Sequence, residues 1–313
     1  MKNIVNKAVI LCGGYGTRSM PASKATPKEL FPVGDKPAIQ FHLEECYKSG
    51  IREVLIVTNE YKRPYFENFL SHNEAIESSM ERGGSLYRLD GLNELIDNMK
   101  INYAIQPVMN GTGGAVLCAI DWLNGEPFAL IFGDDMYEDY KGRPAISLLK
   151  SQFESNNDGK SIIGCKEVSL NDISRYCSIK TTEKINSRCF KFDKIIEKPT
   201  PEQVVSNLSG LGRYIVQGDI EDYILRTPAR GKNSEIGLTD TFNLIAEESG
   251  EIYCFNMPQT HRDLGNKLTF NKTIIENGLR NPEYGKELTE YIIELGEELK
   301  KNPNLLKKHD ENQ

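Results

Sequence analysis

The sequence predicts an α/β fold of three layers, and three observations carry that reading. Apolar runs alternate with stretches of helical spacing through the first half of the chain. Two of the runs, Ala8-Val9-Ile10-Leu11 and Ala129-Leu130-Ile131-Phe132, stop at glycine-led segments, Gly13-Gly14 and Gly133-Asp134-Asp135. Hydrophobic residues make up 39% of 313 positions, ample for a sizeable core. Alternation of this kind implies parallel strands covered by helices, with ligands at the carboxyl ends of the strands.

The elements follow in order. After the first strand, Ala38 to Ser49 carries apolar residues at helical spacing (Ile39, Leu43, Cys46, Tyr47) and ends at Gly50. Val54-Leu55-Ile56-Val57 then completes a βαβ unit. Asn59 to Met99 is polar and mostly helical in pattern, Ile101 to Gln106 is a third strand, and Ala115 to Leu123 a helix. Beyond the strand at Ala129 to Phe132, Ala145 to Phe153 is helical. Ser161 to Cys165, Tyr176 to Lys180 and Phe190 to Glu197 are expected as strands of an added mixed sheet. Leu211 to Val216 repeats the strand pattern and Asp219 to Arg226 the helical one. From Glu283 the chain is helical and charged, ending in Lys307-Lys308-His309-Asp310-Glu311-Asn312-Gln313, a solvated helix with a frayed tail or an oligomer contact. The expected division is one domain over 1–280 and a helical extension and tail over 281–313. No internal repeat interrupts this order.

Composition narrows the function. A net charge of -7 argues against a nucleic-acid surface, so an anionic substrate must be met by a few local cations. Seven cysteines, an odd number scattered through apolar segments, read as free thiols of a reducing cytoplasm, with no redox or zinc spacing among them. No apolar run reaches the ~18 residues of a membrane span. The chain enters a strand without a leader-type apolar region, and a cytoplasmic protein with no membrane partner is expected.

The most informative segment runs from Lys7 to Pro37. A buried strand leads into Gly13-Gly14-Tyr15-Gly16-Thr17-Arg18, where glycines let backbone N–H groups approach an anion closely. Arg18 and Lys28 add two positive charges just beyond, and Pro21, Pro27 and Pro32 stiffen the segment that carries them. A Walker A loop is excluded, because Thr17-Arg18 stands where Lys-Ser/Thr is needed. A dinucleotide fingerprint is excluded too, since Pro21 and Pro27 deny a helix directly after the glycines. A nucleotide-handling loop remains.

Other residues have the chemistry of a nucleotide site. Asp134 follows a buried strand, where a carboxylate can face a ligand; Asp135 competes for that role. Asp263 supplies a second carboxylate, or else caps the helix that follows. Pro199 turns the chain out of its sheet just after Glu197-Lys198, which pins the lysine at a site mouth. The Gln106 amide can donate and accept at once, as the imide edge of uracil or thymine requires, and Gly111 admits close backbone approach.

On Thr17-Arg18, Pro21-Ala22, Lys24-Ala25, Pro27-Lys28-Glu29 and Asp35-Lys36-Pro37, the chain resembles the sugar-phosphate nucleotidyltransferases, above all the bacterial UTP-glucose-1-phosphate uridylyltransferases. The resemblance returns at Asp134, at Glu197-Lys198-Pro199, at Gly212-Arg213-Tyr214 and Glu235 to Asp240, and at Asp263-Leu264-Gly265-Asn266-Lys267. It implies a Rossmann-like nucleotidyltransferase fold with a mixed central sheet and a small added β region. It further implies catalytic roles for Arg18, Lys28 and Lys198, and nucleotide contacts at Leu11, Gly13, Gly14, Gly16, Thr17, Gln106 and Gly111. Sugar contacts fall to Cys177, Glu197, Lys198 and Gly212, and Mg²⁺ ligation to Asp134 and Asp263. The implied substrates are UTP and glucose 1-phosphate, and the implied assembly a homodimer or homotetramer.

Three departures bear on selectivity. Gly111-Thr112-Gly113 replaces Gly-Leu-Gly and is similar instead to the N-acetylglucosamine-1-phosphate uridylyltransferases. Cys177 stands where a glycine is usual beside the sugar, and Gly237 where a glutamine is usual. The rival readings are therefore a different sugar 1-phosphate, such as N-acetylglucosamine 1-phosphate, or dTTP as donor. A UDP-glucose sensor without turnover is a further rival, but it has no need of Arg18, Lys28, Asp134 and Asp263.

Overall fold

A computed structural model describes residues 4–156, 159–231 and 234–304. Its centre is a nine-stranded mixed sheet. In chain order the strands are β1 (Lys7–Leu11), β2 (Glu53–Thr58), β3 (Lys100–Ile105), β4 (Phe128–Phe132), β5 (Ile162–Glu167), β6 (Cys177–Lys184), β7 (Cys189–Glu197), β8 (Leu208–Val216) and β9 (Tyr253–Asn256). Across the sheet they run β3-β2-β1-β4-β8-β5-β9-β7-β6.

The β3-β2-β1-β4 half is parallel, with Val9 paired to Leu55 on one side and Leu130 on the other. β8 reverses the direction, antiparallel to both β4 and β5. Successive residues of β1 point to opposite faces, so Val9 and Ile10 enter different cores. Ile10 packs with Ile39, Leu43 and Cys46 of the helix Ala38–Lys48. Val9 shares the opposite core with Val116 of the helix Gly111–Leu117 and Phe242 of the helix Leu238–Ser249. Burial of one strand on both faces is what makes three layers.

Two expectations change. The strands at Ile162–Glu167, Cys177–Lys184 and Cys189–Glu197 join the central sheet rather than forming a sheet of their own. The small extra sheets are instead two ribbons, Pro32–Val33 with Lys36–Pro37 and Asp135–Tyr137 with His261–Asp263. The helix expected over Ala115–Leu123 is two helices, Gly111–Leu117 and Ile120–Leu123. Tight bonds from Cys118 N–H to the Ala115 carbonyl and from Ala119 N–H to the Val116 carbonyl close the first one early.

Asp35 in the first ribbon's turn accepts from Asn281 and from the Tyr284 hydroxyl, which ties the start of the helix Gly285–Lys301 to the front of the molecule. The predicted tail, Lys307 to Gln313, lies outside the described residues. All seven cysteines are free thiols, and none of the described helices is long and apolar enough to cross a membrane.

Candidate active site

β1 and β4 are parallel neighbours, so the loops after Leu11 and Phe132 emerge side by side at one sheet edge. The Gly133 amide donates to the Leu11 carbonyl at 3.1 Å, which brings Asp134 against the glycine loop. There the Lys28 ammonium lies 2.6 Å from the Asp134 carboxylate and the Arg18 guanidinium 3.4 Å from it. Burial by itself would raise the Asp134 carboxyl, but Lys28 and Arg18 outweigh it and hold the group below the usual carboxylate range. Burial likewise disfavours the Lys28 ammonium, and Asp134 and Glu29 more than offset it. The loop's one left-handed glycine is Gly16 at φ +65°, whose carbonyl accepts from the Ser23 hydroxyl at 2.7 Å.

Arg18, Thr17 and Asp134 stand at one end of a cavity of about 900 Å³, with Gly111 and Thr112 also in its wall. Asp135, Tyr176, Cys177, Glu197, Lys198, Gly212 and Asp263 also line it. Sequence positions far apart thus converge on one space.

Lys198 holds φ +42°, a left-handed backbone that non-glycine residues seldom adopt, and its N–H donates to the Tyr176 carbonyl at 2.7 Å. Pro199 next to it cannot continue the sheet, so the chain turns there and leaves the lysine at the cavity wall. Glu197 accepts from the Thr239 hydroxyl at 3.0 Å. Burial pushes its carboxyl up against the pull of Thr239 and Lys198.

Asp263 accepts from the Asn266 N–H at 3.1 Å and the Tyr176 hydroxyl at 3.3 Å. It is not the helix cap: that place belongs to Asn266, whose side chain accepts from Thr269 N–H at 3.0 Å. Burial and then the neighbouring carboxylates of Asp135 and Asp134 raise the Asp263 carboxyl. Asp135 lines the same cavity and is hydrogen-bonded with His261. It also explains Gly212 at φ +67°, because a Cβ there would stand 2.8 Å from the Asp135 Cβ.

Leu11, Gly13, Gly14, Gly16, Lys28 and Gln106 are not in the cavity wall. Gln106 is buried behind the loop, where its amide donates to the Asn110 side chain and the Gly111 carbonyl, both at 3.2 Å. A Cβ on Gly13 would lie 2.6 Å from the Gln106 Oε1, so the end of that side chain would have to shift. Gly111, at φ +93°, is required by the protein's own backbone, since a Cβ would meet the Ile236 carbonyl at 2.6 Å. The Thr112 hydroxyl accepts from Leu238 N–H at 3.1 Å at the start of the helix Leu238–Ser249. That hydrogen bond gives the threonine a structural use.

The Cys177 thiol, 6% exposed, is turned onto Ser209 at 3.5 Å and accepts from Gly210 N–H at 3.2 Å. Burial pushes it up to about 11, opposed by the contacts with Ser209 and Gly210. A thiol alkylates as its thiolate. Iodoacetamide should therefore label Cys177 slowly near pH 8, with a rate that climbs as the pH approaches 11, read by peptide mass mapping. Labelling at pH 8 as fast as a free thiol would place the side chain elsewhere.

Sequence reasoning did not single out Tyr176, His261 or Thr239 as functional, and weighed Asp135 only as a rival of Asp134. Their one available signal was position, each lying within or beside a motif already quoted.

Residues 7–274 match the family described as Nucleotidyl transferase. The chain belongs to the nucleotidyltransferases. Among relatives of this nucleotidyltransferase is the UTP–glucose-1-phosphate uridylyltransferase of Staphylococcus epidermidis, 36% identical over 291 residues, covering 93% of this chain and 98% of the relative. The enzyme of the same name from Staphylococcus haemolyticus is 37% identical over 292 residues, covering 93% and 99%. A solved UDP-glucose pyrophosphorylase from Acinetobacter baumannii superposes with a TM-score of 0.85 at 29% identity, over 93% of this chain and all of that one. Another, solved in complex with UDP-glucose, gives 0.80 at 27% identity over 89% of this nucleotidyltransferase and 100% of that chain.

Proposed function

We propose that this nucleotidyltransferase moves UMP from UTP to glucose 1-phosphate, giving UDP-glucose and pyrophosphate. The observation that carries the reading is one cavity in which Asp134, paired with Lys28 and Arg18, shares a wall with Asp263 and Lys198. A phosphate oxygen of glucose 1-phosphate attacks the α-phosphorus of UTP in line. The new P–O bond forms as the bond to the β-phosphate oxygen breaks, and the charge leaves on pyrophosphate. The attacking oxygen is already anionic, so positioning and charge neutralisation suffice without a covalent enzyme intermediate. In this reading Arg18 and Lys28 meet the triphosphate, Lys198 meets the acceptor phosphate, and Glu197 accepts from a sugar hydroxyl.

The donor set fits Mg²⁺. Asp134 and Asp263 offer hard oxygen ligands, and the Asp263 carboxyl, raised by burial and then by the Asp135 and Asp134 carboxylates, is one whose charged form a divalent cation would favour. Among the described residues no three His, Cys, Asp or Glu side chains gather in metal-binding geometry, and a cation held by Asp134 and Asp263 would take its remaining ligands from substrate phosphates and water. Bound there, the cation neutralises charge on the reacting phosphates.

Pyrophosphate release measured across a panel of nucleotides and sugar 1-phosphates tests the reading. UTP with glucose 1-phosphate should be the preferred pair, above dTTP and above N-acetylglucosamine 1-phosphate. Binding of UDP-glucose without pyrophosphate release from any pair would leave a sensor instead. In the same assay Lys198→Ala should raise KM for glucose 1-phosphate by ~10- to 100-fold, the worth of one charge-assisted contact, while UTP affinity by calorimetry stays unchanged. Lost UTP affinity with normal acceptor kinetics would reverse the role assigned to Lys198.

A further inference from the structure

Behind the glycine loop lies a buried ammonium that the mechanism above does not use. Lys62 immediately precedes the helix Arg63–Phe69 and is 2% exposed. Its Nζ donates to the Cys12 carbonyl at 2.9 Å and to the two Glu29 oxygens at 3.1 and 2.9 Å. Asn59 stands beside it, its Nδ2 donating to the Gly13 carbonyl at 2.7 Å and its Oδ1 accepting from the Lys62 N–H at 3.0 Å.

Two consecutive loop carbonyls are thus drawn inward. In a planar trans peptide the carbonyl of one residue and the N–H of the next point in opposite directions. Holding the Cys12 and Gly13 carbonyls against Lys62 and Asn59 therefore directs the N–H groups of Gly13 and Gly14 away from the core. Glu29 extends the same frame, because it follows Lys28, whose ammonium lies 2.6 Å from Asp134. One buried ammonium fixes both the loop and the 3₁₀ turn Lys28–Leu30.

Stability alone gives little reason for this arrangement. Buried ion pairs replaced together by apolar residues of similar volume often leave a protein no less stable. A requirement for direction and register does account for it.

We propose that Lys62, with Glu29 and Asn59, is a positioning residue that sets the loop amides and Lys28 as one receptor for nucleotide phosphates. It touches no substrate atom and acts through Cys12, Gly13 and Lys28. The assignment rests on the reading of UTP as the donor.

Two variants test it. Lys62→Met with Glu29→Leu removes both charges together and avoids a lone buried ion. Asn59→Ser keeps a hydroxyl near the Lys62 N–H but is too short to reach the Gly13 carbonyl. Thermal melting, UTP affinity by calorimetry and kinetics toward each substrate are then measured. UTP binding should weaken by ~10- to 100-fold in the double variant, on the scale of losing groups that orient a metal's ligands, and by less in Asn59→Ser. KM for glucose 1-phosphate should not move. Folded variants with wild-type UTP affinity overturn the assignment, as does equal damage to both substrates. Should the double variant fail to fold, Asn59→Ser decides by the same criteria. Wild-type protein that binds no UTP overturns the donor reading itself, and the assignment with it.

Discussion

Asp134→Asn should abolish Mg²⁺-dependent turnover, a loss of ~10²-fold or more, which is the scale for a principal electrostatic group at a reacting centre. The substitution keeps the shape of the side chain and removes one negative charge. Two consequences follow from the geometry. The site loses the carboxylate proposed for the cation, and Lys28 and Arg18 lose the anion that pairs them in the absence of substrate. The fold should survive, because Asp134 lines the cavity rather than packing in either core. Pyrophosphate release titrated with Mg²⁺, alongside a thermal melt, measures both effects. A folded variant with normal turnover would remove Asp134 from the metal site.

Arg213→Met should have the largest effect on stability. Arg213 on β8 is fully buried, paired with Glu45 at 2.9 Å and hydrogen-bonded with the His42 ring at 3.1 Å. Glu45 uses its other oxygen on the Ile146 N–H at 3.0 Å. Burial, and then Arg213, push the His42 imidazole down to about 3, so it is neutral and its Nε2–H donates to the Gly133 carbonyl at 3.0 Å. Methionine fills the stem's volume but leaves the Glu45 carboxylate buried without its partner. Breaking a buried pair in this way costs about 3–5 kcal/mol. Urea unfolding followed by circular dichroism should show that loss, and Glu45→Leu added to Arg213→Met should recover most of it. A loss below ~1 kcal/mol, the scale of an exposed pair, would mean that water reaches this pair. Because the network ends on the residue before Asp134, residual activity should fall with it.

How much was legible from residues alone differs between the two halves of the chain. Residues 8–57 announced a βαβ unit because a strand buried on both faces must be continuously apolar and the helix between must show a 3.6-residue period. The second half announced strands at nearly the right places but not their sheet. Pairing partners of β5, β6 and β7 are set by contacts distant in sequence, and a strand pattern does not record its neighbour. Several motif residues were found with a different use. Gly111 is a glycine for the sake of the Ile236 backbone, Gly13 packs against the Gln106 amide, and Thr112 bonds the start of a helix. A demand for close approach is visible in a glycine, whereas the identity of what approaches is not.

What the sequence by itself determined was the kind of site: a glycine loop after a buried strand, two cations beyond it, a strand-end carboxylate and a lysine before a proline. These are local features, each dictated by a few consecutive residues and their backbone preferences. Only the tertiary structure decided which of them meet and what holds them there. The Lys28–Asp134 bridge spans 106 positions, and Arg213 to Glu45 spans 168. The buried groups behind the site are Lys62, Glu29, His42 and Arg213, and a linear chain does not show that they are buried, even where Glu29 and Arg213 stand in quoted motifs. Their roles exist only where desolvation makes every hydrogen bond obligatory, and desolvation is a property of the packed molecule.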